Sequence, residues 1–376
     1  MVKQKPAHLT DIIGLLNQLC PPDLAEDWDN VGLQVGDPSA KISKILVCLD
    51  AEEIAVQEAL RLGAELIISH HPLIFRALKR LTPTDMTGRV LFQAIKGNIS
   101  IVSAHTNLDR AADGLNDWLA RRLGVMDVIP LERPESGYFY KLVVYVPPSH
   151  EMVVQEAVFA AGAGQIGDYD HCSFNSRGSG TFRGNQDSQP FIGTPGEIET
   201  TEEVRFETIL PAPLLNKIVS RMLKAHPYEE VAYDLIPLEK KRLDVGLGRV
   251  GQLEQQMTLQ QFAEQVKENL HLPALKLVGE LQQQISRVAV CGGTGMSLFS
   301  AAVRHGADCL VTADIKFHEA QRARAEGVAL IDAGHFATEQ IMVGELSTRL
   351  RSSLSENNFN LEVIEMAAES DPLVIF

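Results

Sequence analysis

Short runs of apolar, often β-branched residues alternate along this chain with segments whose apolar positions recur every three to four residues, and the alternation occurs twice. Near the start, Leu9, Ile12, Ile13, Leu16 and Leu19 share one helical face, which predicts a helix over 9–19 with Thr10 or Asp11 near its beginning. Trp28-Asp29-Asn30-Val31-Gly32-Leu33-Gln34-Val35-Gly36 reads as a turn followed by a short strand. Strands over 44–49, 65–69 and 99–104 then interleave with helices over 52–62 and 110–122. Towards the other end, strands over 287–291, 308–312 and 328–332 interleave with helices over 296–305, 315–325 and from about 336. This order predicts parallel βαβ units, hence an α/β fold.

The two halves match residue by residue. Lys44-Ile45-Leu46-Val47-Cys48 sits beside Arg287-Val288-Ala289-Val290-Cys291, and the same Arg-x-Gly-Ala-acid pattern follows as Arg61 to Glu65 and Arg304 to Asp308. The register continues without a gap, placing Ile67-Ile68-Ser69 against Leu310-Val311-Thr312 and His71 against Asp314. About a dozen extra residues, Lys79 to Gly88, interrupt the first copy before Gly97 and Gly327 restart the match. An internal repeat of this kind predicts two duplicated α/β lobes related by a pseudo-twofold. A site on that axis would draw ligands from both.

Between the halves the texture changes. Residues 129–240 are rich in proline, carry a glycine-rich stretch from Gly162 to Gly196, and contain helix-like segments over 150–161 and 212–225 and strand-like ones over 140–146 and 203–209. That order suits a small α+β domain inserted into the core. The expected domains are therefore 1–128, a first α/β lobe; 129–240, the insertion; and 241–376, a second α/β lobe.

A chain of 376 residues can bury cores in two or three domains. Its formal charge of −15 argues against a general nucleic-acid binder, which needs basic patches, and Lys240-Lys241-Arg242 is too short to supply one. Met1-Val2-Lys3-Gln4-Lys5 resembles the charged start of a signal segment, but Asp11, Asn17 and Gln18 interrupt the apolar stretch beyond it. No apolar run approaches the roughly 18 residues of a membrane span, so a cytoplasmic protein is expected. The cysteines at 20, 48, 172, 291 and 309 are odd in number and form no Cys-x-x-Cys. Cys48, Cys291 and Cys309 lie in apolar runs, as small buried hydrophobes do.

The chemistry concentrates at the ends of the expected strands. Ser69-His70-His71-Pro72 closes one, where open α/β sheets place their ligands. His105 and Asp109 follow another, and His335 and Glu339 a third, each a histidine with a carboxylate four residues later. Residues four apart on a helix share a face. A lone pair of this type is common on solvated helices, and two adjacent histidines can be mere surface residues. Two such pairs at matched repeat positions, together with His70 and His71, instead supply enough nitrogen and oxygen donors for two metal ions. Asp314 and His318 could orient such ligands, with a helix N-cap as the alternative for Asp314.

The Trp28 to Gly36 segment, Ser69-His70-His71-Pro72, His105-Thr106-Asn107-Leu108-Asp109, Gly246-Leu247-Gly248-Arg249-Val250-Gly251 and Asp332-Ala333-Gly334-His335 with Glu339 together resemble the Nif-three-like dinuclear metal family, also called GTP cyclohydrolase 1 type 2 homologues. The resemblance implies two related α/β lobes with two divalent ions between them, in a ring-shaped homohexamer. It implies His70, His71, Asp109, His335 and Glu339 as metal ligands, Glu339 bridging, and His105 at the site without necessarily ligating. The insertion resembles PII-like and CutA-like ferredoxin-like domains, through His226-Pro227-Tyr228-Glu229-Glu230 and Gly164 to Phe174. Within it His171, His226 and Glu230 are expected to pack rather than to bind a third metal, and the glycines to form turns rather than a phosphate loop.

Two divalent ions suit hydrolysis of phosphoesters or ring C–N bonds, with His105 as candidate general base. The family name points to opening of the GTP imidazole ring with release of formate, which makes a nucleotide the expected small-molecule substrate. The rival is a non-catalytic, metal-binding regulatory hexamer whose insertion senses a small molecule. Mixed imidazole and carboxylate donors accept zinc, iron or manganese alike.

Overall fold

The computed structural model describes residues 6–133, 139–239 and 242–374. The charged start at 1–5 and two of the three basic residues at 240–242 therefore lie outside the described residues. The chain divides into two compact units, Met1–Arg133 with Leu243–Phe376, and Pro134–Arg242.

The larger unit is built on two large sheets, with a two-stranded pairing of Ala7–His8 and Lys41–Ile42 in addition. In the first, the strands Glu362–Glu365, Lys44–Asp50, Leu66–His71, Ser100–Ser103 and Gly32–Val35 lie side by side in that order, all parallel except the last. In the second the order is Lys276–Val278, Ala329–Asp332, Cys309–Thr312, Gln284–Val290, Leu247–Thr258 and Val125–Glu132. Its three central parallel strands are flanked by antiparallel neighbours. Lys44–Asp50, Leu66–His71, Ser100–Ser103, Cys309–Thr312 and Ala329–Asp332 are nearly continuous buried runs, as expected of strands covered on both faces.

Helices cover them for sequence reasons. Leu9–Leu19 buries Leu9, Ile12, Leu15 and Leu16, the spacing of one helical face. Glu53–Leu62 buries Ala55, Val56 and Ala59 and stops at Gly63, whose left-handed φ of 68° lets its N–H close back on the last turn. Leu46, Cys48, Val56, Ile67, Val90 and Ile101 form the core of the first sheet, and Val250, Ala289, Phe299, Leu310 and Leu330 that of the second. All five cysteines are free, and Cys48, Cys291 and Cys309 are buried.

Several boundaries differ from expectation. The segment expected as one helix over 110–122 is two, Thr106–Arg110 and Leu115–Arg122. The expected break at 128 falls inside the strand Val125–Glu132, which pairs with Leu247–Thr258, so the compact unit continues to Arg133. The strand Leu247–Thr258 is in turn tied to the helix Leu115–Arg122 by Arg249. Its buried guanidinium makes two bonds to Asp117, at 2.7 and 2.6 Å, and donates to the carbonyls of Gly246, Gly248 and Ala111.

The smaller unit runs strand Phe139–Val146, helix Glu151–Ala160, strands Ser173–Phe182 and Glu199–Pro211, helix Leu215–Ala225 and strand Tyr233–Leu238. Its antiparallel sheet has the last strand beside the first, then the third, then the second. Leu142, Val144, Val158, Phe206, Ile218 and Met222 give it a core of its own. His226 packs there, with Nε2 2.9 Å from the carbonyl of Tyr145.

Candidate metal centre

His70 and His71 end the strand Leu66–His71, and although neighbours on a strand normally face opposite ways, their ring centroids lie only 5.1 Å apart. His105 follows Ser100–Ser103 and caps the helix Thr106–Arg110, which carries Asp109 one turn on. His335 and Glu339 stand at opposite ends of the helix His335–Glu339, after Gly334 with its φ of 79°. The four rings converge, with centroid separations of 5.2 Å for His70 and His105 and 5.5 Å both for His71 and His105 and for His71 and His335.

Each ring is held by its Nδ1. His70 Nδ1 lies 2.8 Å from the carbonyl of Ala104, His71 Nδ1 2.8 Å from Asp50, His105 Nδ1 2.9 Å from Asp29, and His335 Nδ1 2.7 Å from Asp314. An Nδ1–H donated outwards leaves Nε2 as the inward-facing atom, the arrangement typical of metal-bound histidine. Asp50 reaches His71 because the two are register neighbours on adjacent parallel strands. Asp50 is itself fixed by Glu369, which accepts from the backbone N–H groups of Leu49 and Asp50. Asp29 also accepts from Thr106.

The carboxylates complete the cluster. Glu339 brings Oε2 within 3.0 Å of both His71 Nε2 and His335 Nε2, and Oε1 within 3.9 Å of His70 Nε2; Asp109 Oδ1 is 3.6 Å from His70 Nε2. Buried His70 Nε2, Asp109 Oδ1 and Glu339 Oε2 have no hydrogen-bond partner of good geometry. Buried polar atoms are costly to leave unpaired, and three within one cluster mark a place where a cation fits. Donor atoms of His70, His71 and His105, and of His71, His335 and Glu339, fall into two groups with every internal separation within 4.8 Å. His105 thus stands with the donors as well as beside them.

Electrostatics differ from donor to donor. Burial pushes His70 down to about 3, keeping the ring neutral as a ligand must be. Burial opposes charge on His71 too, but Asp50 and Glu339 outweigh it and lift the ring to about 10. Close contact with Glu339, against burial, raises His335 to about 9. Burial and the Glu339 charge raise Asp109 to about 7. Burial would raise Glu339 as well, yet contact with His335 and His71 holds its carboxyl far below the usual range.

All six expected residues are therefore together. Asp314 orients His335 and is not a helix cap, that position belonging to Lys316, while His318 is exposed and bonded to Gln321. Other parts escape a reading of the sequence. Asp29, Asp50 and Glu369 are single acids whose partners are distant in sequence. Asn116 donates to the carbonyl of Asp109 and accepts from the N–H of Gly292. Gly293 adopts φ +57°, and a Cβ there would lie 2.1 Å from Glu339 Oε1 and 3.1 Å from His335 Nε2. The one detectable signal is Gly292-Gly293 directly after Cys291, at a strand's carboxyl end.

A mixed α/β protein in which four imidazoles, one of them fully buried, gather with two carboxylates belongs to the class of candidate metal proteins. More specifically, the chain belongs to the Duf34/NIF3 (NGG1p interacting factor 3) family, whose pattern matches residues 7–372. It is 41% identical to a GTP cyclohydrolase 1 type 2 homolog of Halalkalibacterium halodurans, over 98% of this chain and 99% of that one. A Bacillus subtilis protein of the same name is 40% identical, with 98% of each covered. Among solved structures, a Bacillus cereus protein related to NIF3 superposes with a TM-score of 0.87 at 39% identity, covering 99% of this chain and all of that one. No helix among the described residues is long and apolar enough to cross a membrane.

Proposed function

We propose that this chain binds two divalent metal ions through His70, His71, Asp109, His335 and Glu339, and acts as a metal-dependent hydrolase of the kind its relatives' name suggests, on GTP or a phosphoester. The observation that carries the reading is the set of inward-facing Nε2 atoms, each ring fixed through Nδ1, around buried carboxylate oxygens with no hydrogen-bond partner. Paired divalent ions at such donors would supply Lewis-acid polarisation of the substrate and acidification of a water. Glu339, whose two oxygens face different histidines, is the proposed bridging ligand. His105, its Nδ1–H engaged by buried Asp29, keeps Nε2 free to take and return a proton. Zinc, iron and manganese all suit this donor set.

The expected domain plan, two duplicated lobes about a pseudo-twofold with a PII/CutA-like insertion, remains part of the proposal. The parallel strands Lys44–Asp50, Leu66–His71 and Ser100–Ser103 in one sheet, the parallel strands Gln284–Val290, Cys309–Thr312 and Ala329–Asp332 in the other, and the strand–helix–strand–strand–helix–strand order of Pro134–Arg242 support it. A homohexamer in the cytoplasm is proposed from the family resemblance. The second reading, a non-catalytic metal-binding scaffold with a sensing insertion, draws on that unit's separate core. Hydrolysis of GTP and of a generic phosphodiester, with and without added metal, separates the two. Metal-dependent turnover that disappears in Glu339→Ala supports the enzyme, and metal uptake without turnover on either substrate supports the scaffold.

A further inference from the structure

Beside the donor cluster stand two large aromatic side chains that packing does not explain. Trp28 is 58% exposed and Phe75 49%, although side chains of this size usually bury most of their surface. Their ring centroids are 5.7 Å apart at 55°, and the Trp28 ring meets the edge of His105 at 6.1 Å. Nor is either on a loose loop. Asp29, next to Trp28, holds His105 and Thr106, while Asn30 donates to the carbonyl of Ile74 at 2.6 Å. Gln34 accepts from the N–H of Ile74 and donates to the carbonyl of Asn30, so the two loops are knitted together. The loop carrying Phe75 also presents exposed Arg76, Lys79 and Arg80, a local cationic run in a chain of net charge −15.

We propose that Trp28 and Phe75 form a stacking platform that receives the planar ring of a nucleotide-type heteroaromatic anion beside His105. The proposal deepens the reading of the donor cluster as a reaction centre and rests on it for the platform's purpose. Tilted faces fixed at this separation let a flat ring lie on one while its edge meets the other, and every such ring offers a π-face. The cations on the same loop favour a ligand carrying phosphate over a neutral one. A ring seated there lies against the imidazole whose Nε2 faces the donors.

Fluorescence isolates the effect, because the only other tryptophan, Trp118, is 2% exposed and covered by the Arg349 guanidinium at 4.5 Å. The full chain is titrated with GMP and, as a ring-free match, ribose 5-phosphate, both after chelator treatment and after reloading with manganese. Saturable quenching by GMP, none by ribose 5-phosphate, and a GMP affinity at least about fivefold weaker in Trp28→Ala and Phe75→Ala but largely retained in Trp28→Phe is the expected result. Affinity for the variants is read by calorimetry, with metal content and assembly size measured on the same samples. Equal binding of the two probes, no binding of GMP, or GMP affinity unchanged in both alanine variants overturns the platform. So does a smaller assembly in Trp28→Ala with GMP affinity intact, which would make Trp28 an interface residue. Ring binding by the chelated chain tests the platform even if metal uptake fails, whereas failed uptake sinks only the metal centre.

Discussion

At the scale of residues, the cluster is a set of protons waiting to be displaced. His71 at about 10 and His335 at about 9 are both protonated at neutral pH in the ion-free chain, and Asp109 at about 7 is partly so. Metal ligation needs each of them deprotonated, so raising pH removes a competitor and must tighten binding. Two displaced protons give roughly a hundredfold gain in affinity per pH unit between about pH 6 and 8, with Asp109 adding to the lower end. Calorimetry in two buffers of different ionisation enthalpy checks it through the protons released per ion; pH-independent affinity would contradict it. His105 answers to a different assay. His105→Ala is expected to cut turnover by about 10²- to 10⁴-fold while metal content stays near wild type. Loss of an ion together with His105 would make it a ligand, as its place among the donors of His70 and His71 allows.

Among elements, Arg249 is the most consequential joint, since its fork ties the helix Leu115–Arg122 to the strand Leu247–Thr258 and satisfies three backbone carbonyls on the way. Arg249→Met leaves Asp117 and those carbonyls without their donor. A loss of about 3–5 kcal/mol in urea unfolding is expected, and a change below about 1 kcal/mol would show the joint to be dispensable. Arg249 lies inside a recognisable motif, yet its role depends on Asp117, 132 residues away. Much of the α/β pattern was legible: the helix Leu9–Leu19 and the buried parallel strands follow directly from apolar spacing. The strand Val125–Glu132 was not, because its exposed Met126, Asp127 and Glu132 hide any alternation and its partner comes more than a hundred residues later. The helix Leu259–Asn269 was not among the expected elements, although Thr258 and Gln261 form a capping box before Leu259, Phe262, Ala263 and Val266. In the site, ligand-type residues were legible from repeated spacing, whereas Asp29 and Asp50 acquire meaning only when the sheet brings them to an imidazole.

For the whole molecule, the separate core of Pro134–Arg242 predicts that the larger unit stands without it. Replacing 134–242 by a short Gly/Ser linker is expected to leave a soluble, folded protein with wild-type metal content, and aggregation or lost metal would refute that independence. The central claim is that one metal centre draws on both ends of the chain, His70, His71 and Asp109 from one and His335 and Glu339 from the other. Its most direct test is elemental analysis of metal per chain, after reconstitution and removal of free ions, in the wild type and in Glu339→Ala. Two ions in the wild type and a clear loss in the variant is the predicted result. Two ions retained without Glu339, or none bound by the wild type, would contradict it.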